Sequence, residues 1–482
     1  MLNPAIFRQY DIRGIWGKDL TEEVIEKIGR AFAVYLRDIL KKEKIKVSIG
    51  RDVRLSSPAI LEALSHGLLV SGIDVVDIGV CPTPLQYFSL FHLPVDGGVM
   101  ITGSHNPPEF NGMKLSVGKE TLYGDRIQDV RRIAEKDDFI WGAGTIEVYE
   151  IIPEYIEHLK TGFPSLGRIK VVIDAGNGTG GLVAPQLMKG LGCEVIELYC
   201  EPDGNFPNHH PDPVVMENIK DLIANVAAHG ADLGIGYDGD ADRIGVVDGD
   251  GDVVWGDRLM IIFARDIIES QKSKVKSQNS KLKTQNSKPL TFVGEVKCSQ
   301  IMYDEIKRLG GDPIMWKTGH SLIKSKMKET GALLAGEMSG HIFFSDRYFG
   351  YDDAIYASLR LLEILAKNGS PYSIKRLLAD VPESVSTPEI RFECPDEIKF
   401  KIVDKAKEAF RDYPLNDIDG IRINFDKGWA LIRASNTQPA LVMRFEAKDE
   451  ESLRGIKEFV EGKLNAVMAP LLQKFSDKIN TM

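Results

Sequence analysis

Cysteine is scarce in this sequence. The chain has five cysteines among 482 residues, and no two of them form a Cys-x-x-Cys pair. Their odd number and wide spacing favour neither a disulfide framework nor a zinc ribbon. We therefore expect reduced thiols and a cytoplasmic location.

Long apolar runs and an excess of positive charge are also lacking. No uninterrupted apolar segment is long enough to span a bilayer, and the first residues do not show the cationic and then apolar pattern of a signal peptide. Acidic residues outnumber basic ones by 70 to 60, which gives a formal net charge of −10. A general nucleic-acid binder carries the opposite balance. These absences predict a soluble protein without a membrane or nucleic-acid partner.

What the sequence does contain is a recurring order of strand, helix and strand. An apolar strand at 46–52 leads through a helix to a strand at 72–79, and the same order returns at 169–198 and 291–316. This order is typical of parallel sheets. Because 482 residues exceed the size of a single core, we expect several domains.

After residue 373 the pattern changes. A helix near 396–411 is followed by strands at 420–424, 429–434 and 440–447 and by a final helix, which predicts an α+β unit. Boundaries near residues 150, 252 and 373 divide the chain into three α/β domains and this α+β domain, at 1–150, 151–252, 253–373 and 374–482.

Residues 271–289 interrupt the third predicted domain. Within them a lysine-, serine- and asparagine-rich segment nearly repeats itself and has little to bury. This composition predicts an exposed, flexible insertion. A nucleic-acid patch is the alternative, but interleaved aromatic residues are lacking.

The first candidate for chemistry is Ser104. An apolar strand predicted at 98–101 runs into a loop rich in glycine and proline that contains this serine. Pro107 and Pro108 stiffen the turn, because they cannot donate backbone hydrogen bonds. We expect Ser104 at a fixed, exposed position, where it can act as a nucleophile or carry a phosphoryl group. An ordinary surface turn is the alternative for this loop alone.

Three aspartates at alternate positions form the second candidate. If the backbone is extended, Asp238, Asp240 and Asp242 share one face and can converge on a hard divalent cation. An EF-hand is the rival interpretation. It fails because its sixth position would be Arg243 and its twelfth Gly249.

Two other motifs have structural interpretations that we favour. The acidic residues at 248–252 lie between two apolar runs and contain Asp-Gly, which is typical of a hairpin. Gly176, Gly178 and Gly181 match a dinucleotide-binding fingerprint, but they equally suit a tight turn from strand to helix.

Three further segments suggest ligand contacts. In the loop at 336–341, Glu337 and Ser339 could hydrogen-bond vicinal sugar hydroxyls, although a capped turn is an equal alternative. His320 could transfer a proton near a phosphate, although a lone histidine is more often structural. The segment at 433–439 sets an arginine beside hydroxyls and an amide, which suits an anchor for a phosphate.

Taken together and in this order, the Ser104, Asp238 and Arg433 loops resemble the α-D-phosphohexomutase superfamily, in particular its bacterial and archaeal phosphomannomutase/phosphoglucomutase family. The resemblance covers about residues 5–465. It implies three related α/β domains with mixed or parallel sheets and a C-terminal α+β, TATA-binding-like domain around a central cleft.

The same resemblance implies an activity. Hexose 6-phosphate and hexose 1-phosphate, of mannose or glucose, would be interconverted through a phosphoserine and a hexose 1,6-bisphosphate, with Mg²⁺ as cofactor. Met338 and Asn436 favour these sugars over glucosamine. A phosphoglucosamine mutase is the first alternative, and a Mg²⁺-dependent sugar phosphatase with a serine nucleophile is the second.

The resemblance also implies roles for residues. Ser104 and the three aspartates would hold the metal, Lys114 and Arg243 would stabilise the phosphoryl group, and Arg13, Lys114 and His320 are candidates for proton transfer. The implied substrate-binding residues are Tyr10, Lys297, Glu337, Ser339 and His341, and the implied phosphate-binding residues are Arg433, Ser435, Asn436 and Thr437. The expected partners are small phosphosugars, with the chain a monomer or a weak homodimer.

Overall fold

The structure is a computed structural model that describes residues 2–277, 289–436 and 438–480. Side chains are described up to Ser273 in the first of these ranges and up to Gln473 in the last. The described chain folds into four β-sheets, each formed by one continuous stretch of sequence. None of the described helices is long and apolar enough to cross a membrane.

The first sheet mixes parallel and antiparallel strands. It contains β1 Ile12–Ile15, β2 Ile45–Arg51, β3 Ile73–Val80, β4 Gly97–Ile101, β5 Phe110–Val117, β6 Glu120–Thr121 and β7 Ile146–Val148. The strand order is β1-β5-β4-β2-β3-β7, with β6 paired to β5. The helices of this stretch are α1 Glu22–Leu40, α2 Ser57–Leu69, α3 Thr83–His92 and α4 Asp125–Lys136. Helix α1 begins after Thr21, whose side chain accepts a hydrogen bond from the Val24 amide.

The second sheet has the order β12-β11-β10-β8-β9. Its strands are β8 Lys170–Asp174, β9 Glu194–Leu198, β10 Leu233–Tyr237, β11 Ile244–Asp248 and β12 Val253–Val254, and its helices are α5 Ile151–Gly162, α6 Ala184–Gly190 and α7 Lys220–His229. Antiparallel pairing of β11 with β12 confirms the predicted hairpin at 248–252. Gly178 and Gly181 serve close packing, since a Cβ would collide with the carbonyls of Gly239 and Cys200 respectively.

The third sheet has the order β14-β13-β15-β16. Its strands are β13 Thr291–Glu295, β14 Asp312–Trp316, β15 Leu334–Gly336 and β16 Ile342–Phe344, and its helices are α8 Gly256–Ser277, α9 Gln300–Arg308, α10 His320–Thr330, α11 Ala354–Asn368 and α12 Ile374–Leu377. Residues 271–277 of the insertion predicted at 271–289 are helical and continue α8, and the flexibility of the insertion stays a prediction. Lysine and glutamine are good helix formers, so the polar run extends the helix. Residues 278–288 lie outside the described residues.

The fourth sheet is entirely antiparallel. Its strands are β17 Val385–Ser386, β18 Ile390–Glu393, β19 Leu415–Asn416, β20 Ile421–Phe425, β21 Gly428–Ala434 and β22 Ala440–Ala447, and its helices are α13 Asp396–Ala409 and α14 Glu450–Asn480. The α+β prediction for this stretch is confirmed, and β22 has the predicted bounds. The domain boundaries at 150, 252 and 373 remain predictions.

Buried apolar side chains show how the sheets are joined. One continuous core runs from Val76 to Val381 through the second and third sheets and reaches β3 of the first sheet. The rest of the first sheet packs in a core of its own between Ile6 and Ala134. The fourth sheet has a separate core between Cys394 and Met468. A small cluster of Val296, Trp429 and Leu431 lies between the third and fourth sheets. We call the stretch of chain that forms each sheet a unit. The fourth unit is therefore attached to the rest of the protein over a smaller apolar contact than the other three units are.

Candidate active site

Ser104 lies in the loop between β4 and β5. Its backbone adopts a left-handed conformation, with φ of 49°, and its amide donates to Thr102 Oγ1 at 2.8 Å. The preceding Gly103 amide donates to Asp52 Oδ2 at 3.0 Å. The residue is only 3% exposed, so the prediction of an exposed serine was wrong. The aspartates after β10 cover it, because Ser104 Oγ donates to Asp238 Oδ2 at 2.8 Å.

Arg54 determines the shape of the serine loop. This fully buried guanidinium donates to four backbone carbonyls of the loop, those of Ser104, Asn106, Pro107 and Phe110, at 2.5 to 2.9 Å. A Cβ at Gly103 would collide with it. The sequence analysis missed Arg54. Its position shortly after β2 becomes meaningful only once β2 is known to lie beside β4.

The three predicted aspartates converge, but the extended backbone predicted for them was wrong. They lie on a turn, in which the Ala241 amide donates to the Asp238 carbonyl at 3.1 Å and Ala241 has a φ of 54°. Asp238, Asp240 and Asp242 are fully buried, and each offers a carboxylate oxygen within 4.8 Å of the other two. Asp240 Oδ2 accepts from the hydroxyls of Thr83 at 2.6 Å and Thr102 at 3.1 Å. Oδ1 of Asp240 and Oδ1 of Asp242 have no hydrogen-bond partner among the described residues. Buried, unpartnered carboxylate oxygens fit a hard divalent cation, so this cluster can bind a metal.

Lys114 contributes one positive charge to the cluster. Its Nζ lies 2.9 Å from Asp240 Oδ2 and 2.5 Å from Asp242 Oδ2. Burial acts to lower the pKa of Lys114, but these carboxylates hold it well above its ordinary value. Burial and the neighbouring carboxylates raise the pKa of Asp238 well above its usual range. One ammonium for three carboxylates leaves negative charge that a cation would neutralise.

A second buried network starts at Arg243. Its Nε donates to His341 Nε2 at 3.0 Å, and His341 Nδ1 lies 3.0 Å from Asp352 Oδ2. Lys324 Nζ lies 3.2 Å from the other oxygen of Asp352. Burial acts to raise the pKa of Asp352, but Lys324 and the nearby histidines hold it well below its ordinary value. Asp352 was not predicted, since no motif surrounds it in the sequence.

His320 stacks near His341, with ring centroids 5.8 Å apart. Burial, together with the charge of Lys324, lowers the pKa of His320 well below its ordinary value. The imidazole is therefore neutral at neutral pH and able to accept a proton. On its other side the Tyr10 ring lies 5.9 Å away.

The predicted sugar-binding loop follows β15. Glu337 accepts from the Gly319 amide at 2.7 Å and from the Ser339 hydroxyl at 3.0 Å, so Glu337 and Ser339 lie together as predicted. Lys297 Nζ is 3.1 Å from Glu389 and 3.7 Å from Glu295. These buried groups form a polar surface suited to sugar hydroxyls.

Glu295 and Asp419 support this surface and were not predicted. Glu295 accepts from Thr318 Oγ1 at 2.6 Å and from the Met338 amide at 3.2 Å. Asp419 accepts from the Thr318 amide at 3.0 Å and pairs with Arg433 Nη2 at 3.0 Å. Both carboxylates connect Thr318 to the predicted binding loops.

The predicted phosphate anchor follows β21. Asn436 Nδ2 donates to the Tyr10 hydroxyl at 2.8 Å, and this hydroxyl donates to the Thr318 carbonyl at 2.6 Å. Ser435 Oγ accepts from the Gln438 amide at 3.1 Å. Arg13 lies on β1, where its Nη2 is 2.5 Å from Asp11 Oδ2. Thr437 lies outside the described residues.

These contacts form one continuous path through the cleft. Ser104 donates to Asp238, and Asp242 of the same cluster lies 3.5 Å from His341, which accepts from Arg243. The His341 ring stacks near His320, and the His320 ring contacts Tyr10, which is hydrogen-bonded to Asn436 of the anchor loop. The arrangement combines a buried serine, a carboxylate cluster, several cations and a polar surface. Such a set suits transfer of a phosphoryl group to or from a small polyhydroxylated molecule.

Comparison with known sequences covers all four units. The chain matches the four parts of one family: "Phosphoglucomutase/phosphomannomutase, alpha/beta/alpha domain I" over residues 4–141, domain II over 153–251, domain III over 255–384 and the "C-terminal domain" over 389–463. Each sheet described above falls within or largely within one of these matches.

Individual relatives agree. The chain is 45% identical to a phosphomannomutase/phosphoglucomutase of Pseudomonas aeruginosa, over 98% of this chain and 97% of the relative, and 44% identical to a phosphoglucomutase of Neisseria gonorrhoeae, over 94% and 95%. A crystal structure of a phosphoglucomutase/phosphomannomutase family protein from Burkholderia thailandensis superposes with a TM-score of 0.87 at 40% identity, covering 97% of this chain and 98% of that one. The chain therefore belongs to the phosphoglucomutase/phosphomannomutase family within the α-D-phosphohexomutase superfamily, and it is a hexose phosphate mutase.

Proposed function

We propose that the chain interconverts the 1-phosphate and 6-phosphate of mannose and glucose through a phosphoserine at Ser104. The contact between Ser104 Oγ and Asp238 carries the proposal, because it sets a buried hydroxyl directly on the candidate metal cluster. The names of the relatives, which include both phosphomannomutase and phosphoglucomutase, support the choice of sugars.

Mg²⁺ is the metal that we propose for the cluster. Asp238, Asp240, Asp242 and the phosphate on Ser104 would hold it, and the unpartnered oxygens of Asp240 and Asp242 support this fit. When bound, Mg²⁺ neutralises negative charge that the transferring phosphoryl group carries. Lys114 and Arg243 add positive charge from the protein itself.

The first chemical step moves the phosphoryl group from Ser104 to a free hydroxyl of a bound hexose monophosphate. The P–Oγ bond breaks as a bond forms between phosphorus and the sugar oxygen, giving a hexose 1,6-bisphosphate. The sugar hydroxyl loses its proton and Ser104 Oγ gains one. We propose Arg13, Lys114 and His320 as the residues that assist these proton transfers, with the lowered pKa of His320 leaving it neutral and the raised pKa of Lys114 leaving it protonated before the step.

The bisphosphate then turns over within the cleft and returns its other phosphate to Ser104. Tyr10, Lys297, Glu337, Ser339 and His341 are the proposed contacts to the sugar in both orientations. Arg433, Ser435, Asn436 and Thr437 are the proposed anchor for the phosphate that is not reacting. The anchor must therefore accept a phosphate from either end of the sugar.

A coupled assay tests the proposal. Turnover of mannose 1-phosphate, glucose 1-phosphate and glucosamine 1-phosphate is compared in the presence of Mg²⁺ and catalytic glucose 1,6-bisphosphate, while free phosphate is measured. We expect comparable turnover of the first two sugars without phosphate release. Activity confined to glucosamine 1-phosphate would overturn the proposed sugars, and release of phosphate alone would overturn the mutase mechanism.

We also propose that the chain acts as a monomer or a weak homodimer. Every site residue described above comes from one chain, so no second copy is needed to complete the cleft. Light scattering across a range of protein concentrations tests this, and a tight, concentration-independent oligomer would contradict it. The cytoplasmic location stays a prediction.

A further inference from the structure

A cavity of about 470 Å³ lies between the first and third units, behind the catalytic cleft. Helices α3 and α4 and the loop around β6 form one wall, and α10 with residues 345–351 forms the other. None of the residues proposed above for catalysis or substrate binding lines it. Its volume lies within the range of sites for small ligands, about 300–1,000 Å³.

Aromatic rings form one side of this cavity. Phe91 from the first unit and Phe349 from the third approach each other, with ring centroids 4.6 Å apart, and both are half-buried. Tyr87 and Tyr351 lie behind them, fully packed, with centroids 5.4 Å apart. The wall therefore offers partly accessible aromatic surface supported by a rigid layer, which suits a flat aromatic ring.

The rest of the lining is strongly basic. Four cations, Lys119, Arg126, Lys324 and Lys328, face one lining carboxylate, that of Glu120. Glu120 pairs with both Arg126 and Lys328. Lys119 makes no ion pair with any described carboxylate, and its Nζ lies 4.4 Å from the Phe91 ring centroid. The cavity thus has more positive than negative side chains, and Lys119 is free of ion pairs with the described carboxylates beside the aromatic wall.

We propose that this cavity binds a nucleotide, with its base on Phe91 and Phe349 and its phosphates near Lys119, Arg126 and Lys328. A base stacks on aromatic side chains, and phosphates pair with lysine and arginine. A sugar phosphate would use only the basic residues, and an uncharged ring would use only the aromatic wall. A nucleotide satisfies both features at once.

Lys324 connects the cavity to the catalytic cleft. It lines the cavity, and its Nζ lies 3.2 Å from Asp352, whose other oxygen is 3.0 Å from His341. A bound polyphosphate competes with Asp352 for this lysine and so changes the charge beside His341. The nucleotide therefore alters mutase turnover, and by linkage the hexose phosphate alters nucleotide affinity.

Calorimetric titration of the full chain in excess Mg²⁺ tests the binding. The probe is GDP, and pyrophosphate and guanosine supply the charge and the ring separately. We expect each fragment to bind at least about tenfold more weakly than GDP, since stacking and phosphate pairing both contribute. Pyrophosphate binding as tightly as GDP would overturn the role of the base, and absence of GDP binding at millimolar concentration would overturn the site.

Two variants locate the binding. Lys119→Glu reverses an exposed charge, and the double variant Lys119→Ala with Phe349→Ala removes both features of the wall. Each is expected to weaken GDP binding at least about tenfold and to leave turnover without GDP unchanged. Lys136→Ala, on the exposed end of α4, is the control and should bind GDP normally. Lys119→Glu keeps the test valid if the double variant folds poorly.

Competition completes the test. Normal GDP binding by Lys119→Glu, or full displacement of GDP by mannose 1-phosphate at its KM, would place the nucleotide in the catalytic cleft and overturn the proposal. Unchanged turnover at saturating GDP would overturn the link through Lys324. Because binding is measured by heat, its failure is distinct from any failure of the proposed mutase reaction.

Discussion

The two sides of the cleft are built differently. On the nucleophile side, Arg54 fixes the Ser104 loop through four carbonyls, and three fully buried aspartates close over the serine. On the anchor side, the loop after Arg433 meets the rest of the site through Tyr10 and Thr318. A buried cation thus holds each loop, but Arg54 donates to four carbonyls of the serine loop, whereas Lys399 donates to two carbonyls of the proposed anchor loop, those of Ser435 and Gln438, at 2.6 and 3.0 Å.

The hydrophobic cores behind the two sides of the cleft also differ. The nucleophile side rests on two cores, that of the first sheet around β4 and β5 and the one that joins the first three sheets, whereas the anchor side has its own. Arg422 fastens the fourth sheet by donating to the carbonyls of Val296 and Cys298 at 2.7 and 2.8 Å, and its guanidinium lies 3.7 Å from the Trp429 ring centroid. We expect this narrow apolar contact to let the proposed anchor adjust while the groups around Ser104 stay fixed. That suits a phosphate presented from either end of the sugar.

Replacement of the nucleophile should produce the largest effect. Ser104→Ala is expected to lower kcat on the order of 10³-fold or more, because the phosphoryl carrier is lost. Thermal unfolding should remain near that of the parent, since the small side chain fits the same space. Ser165→Ala, at an exposed serine of the second unit, is the control. Near-normal turnover by Ser104→Ala would remove the serine from the mechanism.

Arg54→Lys tests whether the rigid side depends on its guanidinium. Lysine keeps the charge but cannot reach four carbonyls, so the serine loop loses its fixed geometry. We expect kcat to fall about 10²-fold with little change in KM, because misplacement by about 1 Å has this cost. Steady-state kinetics on glucose 1-phosphate provide the measurement. A variant with full kcat would show that the loop keeps its shape without Arg54.

Arg54 also shows where prediction from sequence stops. The hairpin at 248–252 was predicted because Asp-Gly lies between two apolar runs, and the aspartates because they alternate in the sequence, although a turn rather than an extended chain brings them together. Arg54, Asp352, Glu295 and Asp419 reach the site through sheet order and long-range packing, which no local pattern encodes. The burial of Ser104 was missed for the same reason, since the covering loop lies more than a hundred residues away.

Arg433→Lys tests whether the anchor side depends on its guanidinium. The planar guanidinium can bind two phosphate oxygens at once, and an ammonium cannot. We expect KM for glucose 1-phosphate to rise about tenfold with kcat reduced less, because substrate binding is lost more than chemistry. Arg411→Lys, at a fully exposed arginine of the same unit, is the control. A fall in kcat alone would mean that Arg433 acts in the chemical step.

The smallest effect is expected for the single hydroxyl that joins the two sides. Tyr10→Phe keeps the ring beside His320 but removes the hydrogen bonds to Asn436 and Thr318. Loss of these bonds is worth about 1 kcal/mol, so KM should rise only severalfold while kcat stays within about twofold.

The matched variant on the nucleophile side is Thr83→Val, which removes one hydroxyl from Asp240 at nearly the same hydrogen-bond length. It should lower kcat rather than raise KM, because Asp240 belongs to the carboxylate cluster on which Ser104 rests. Each variant removes one hydroxyl, but the two should change different kinetic constants. Tyr10→Phe should raise KM because it weakens phosphate binding, and Thr83→Val should lower kcat because it disturbs the groups around the transferring phosphoryl. If Tyr10→Phe reduced kcat and Thr83→Val raised KM, the division between a fixed nucleophile side and an adjustable anchor side would be wrong.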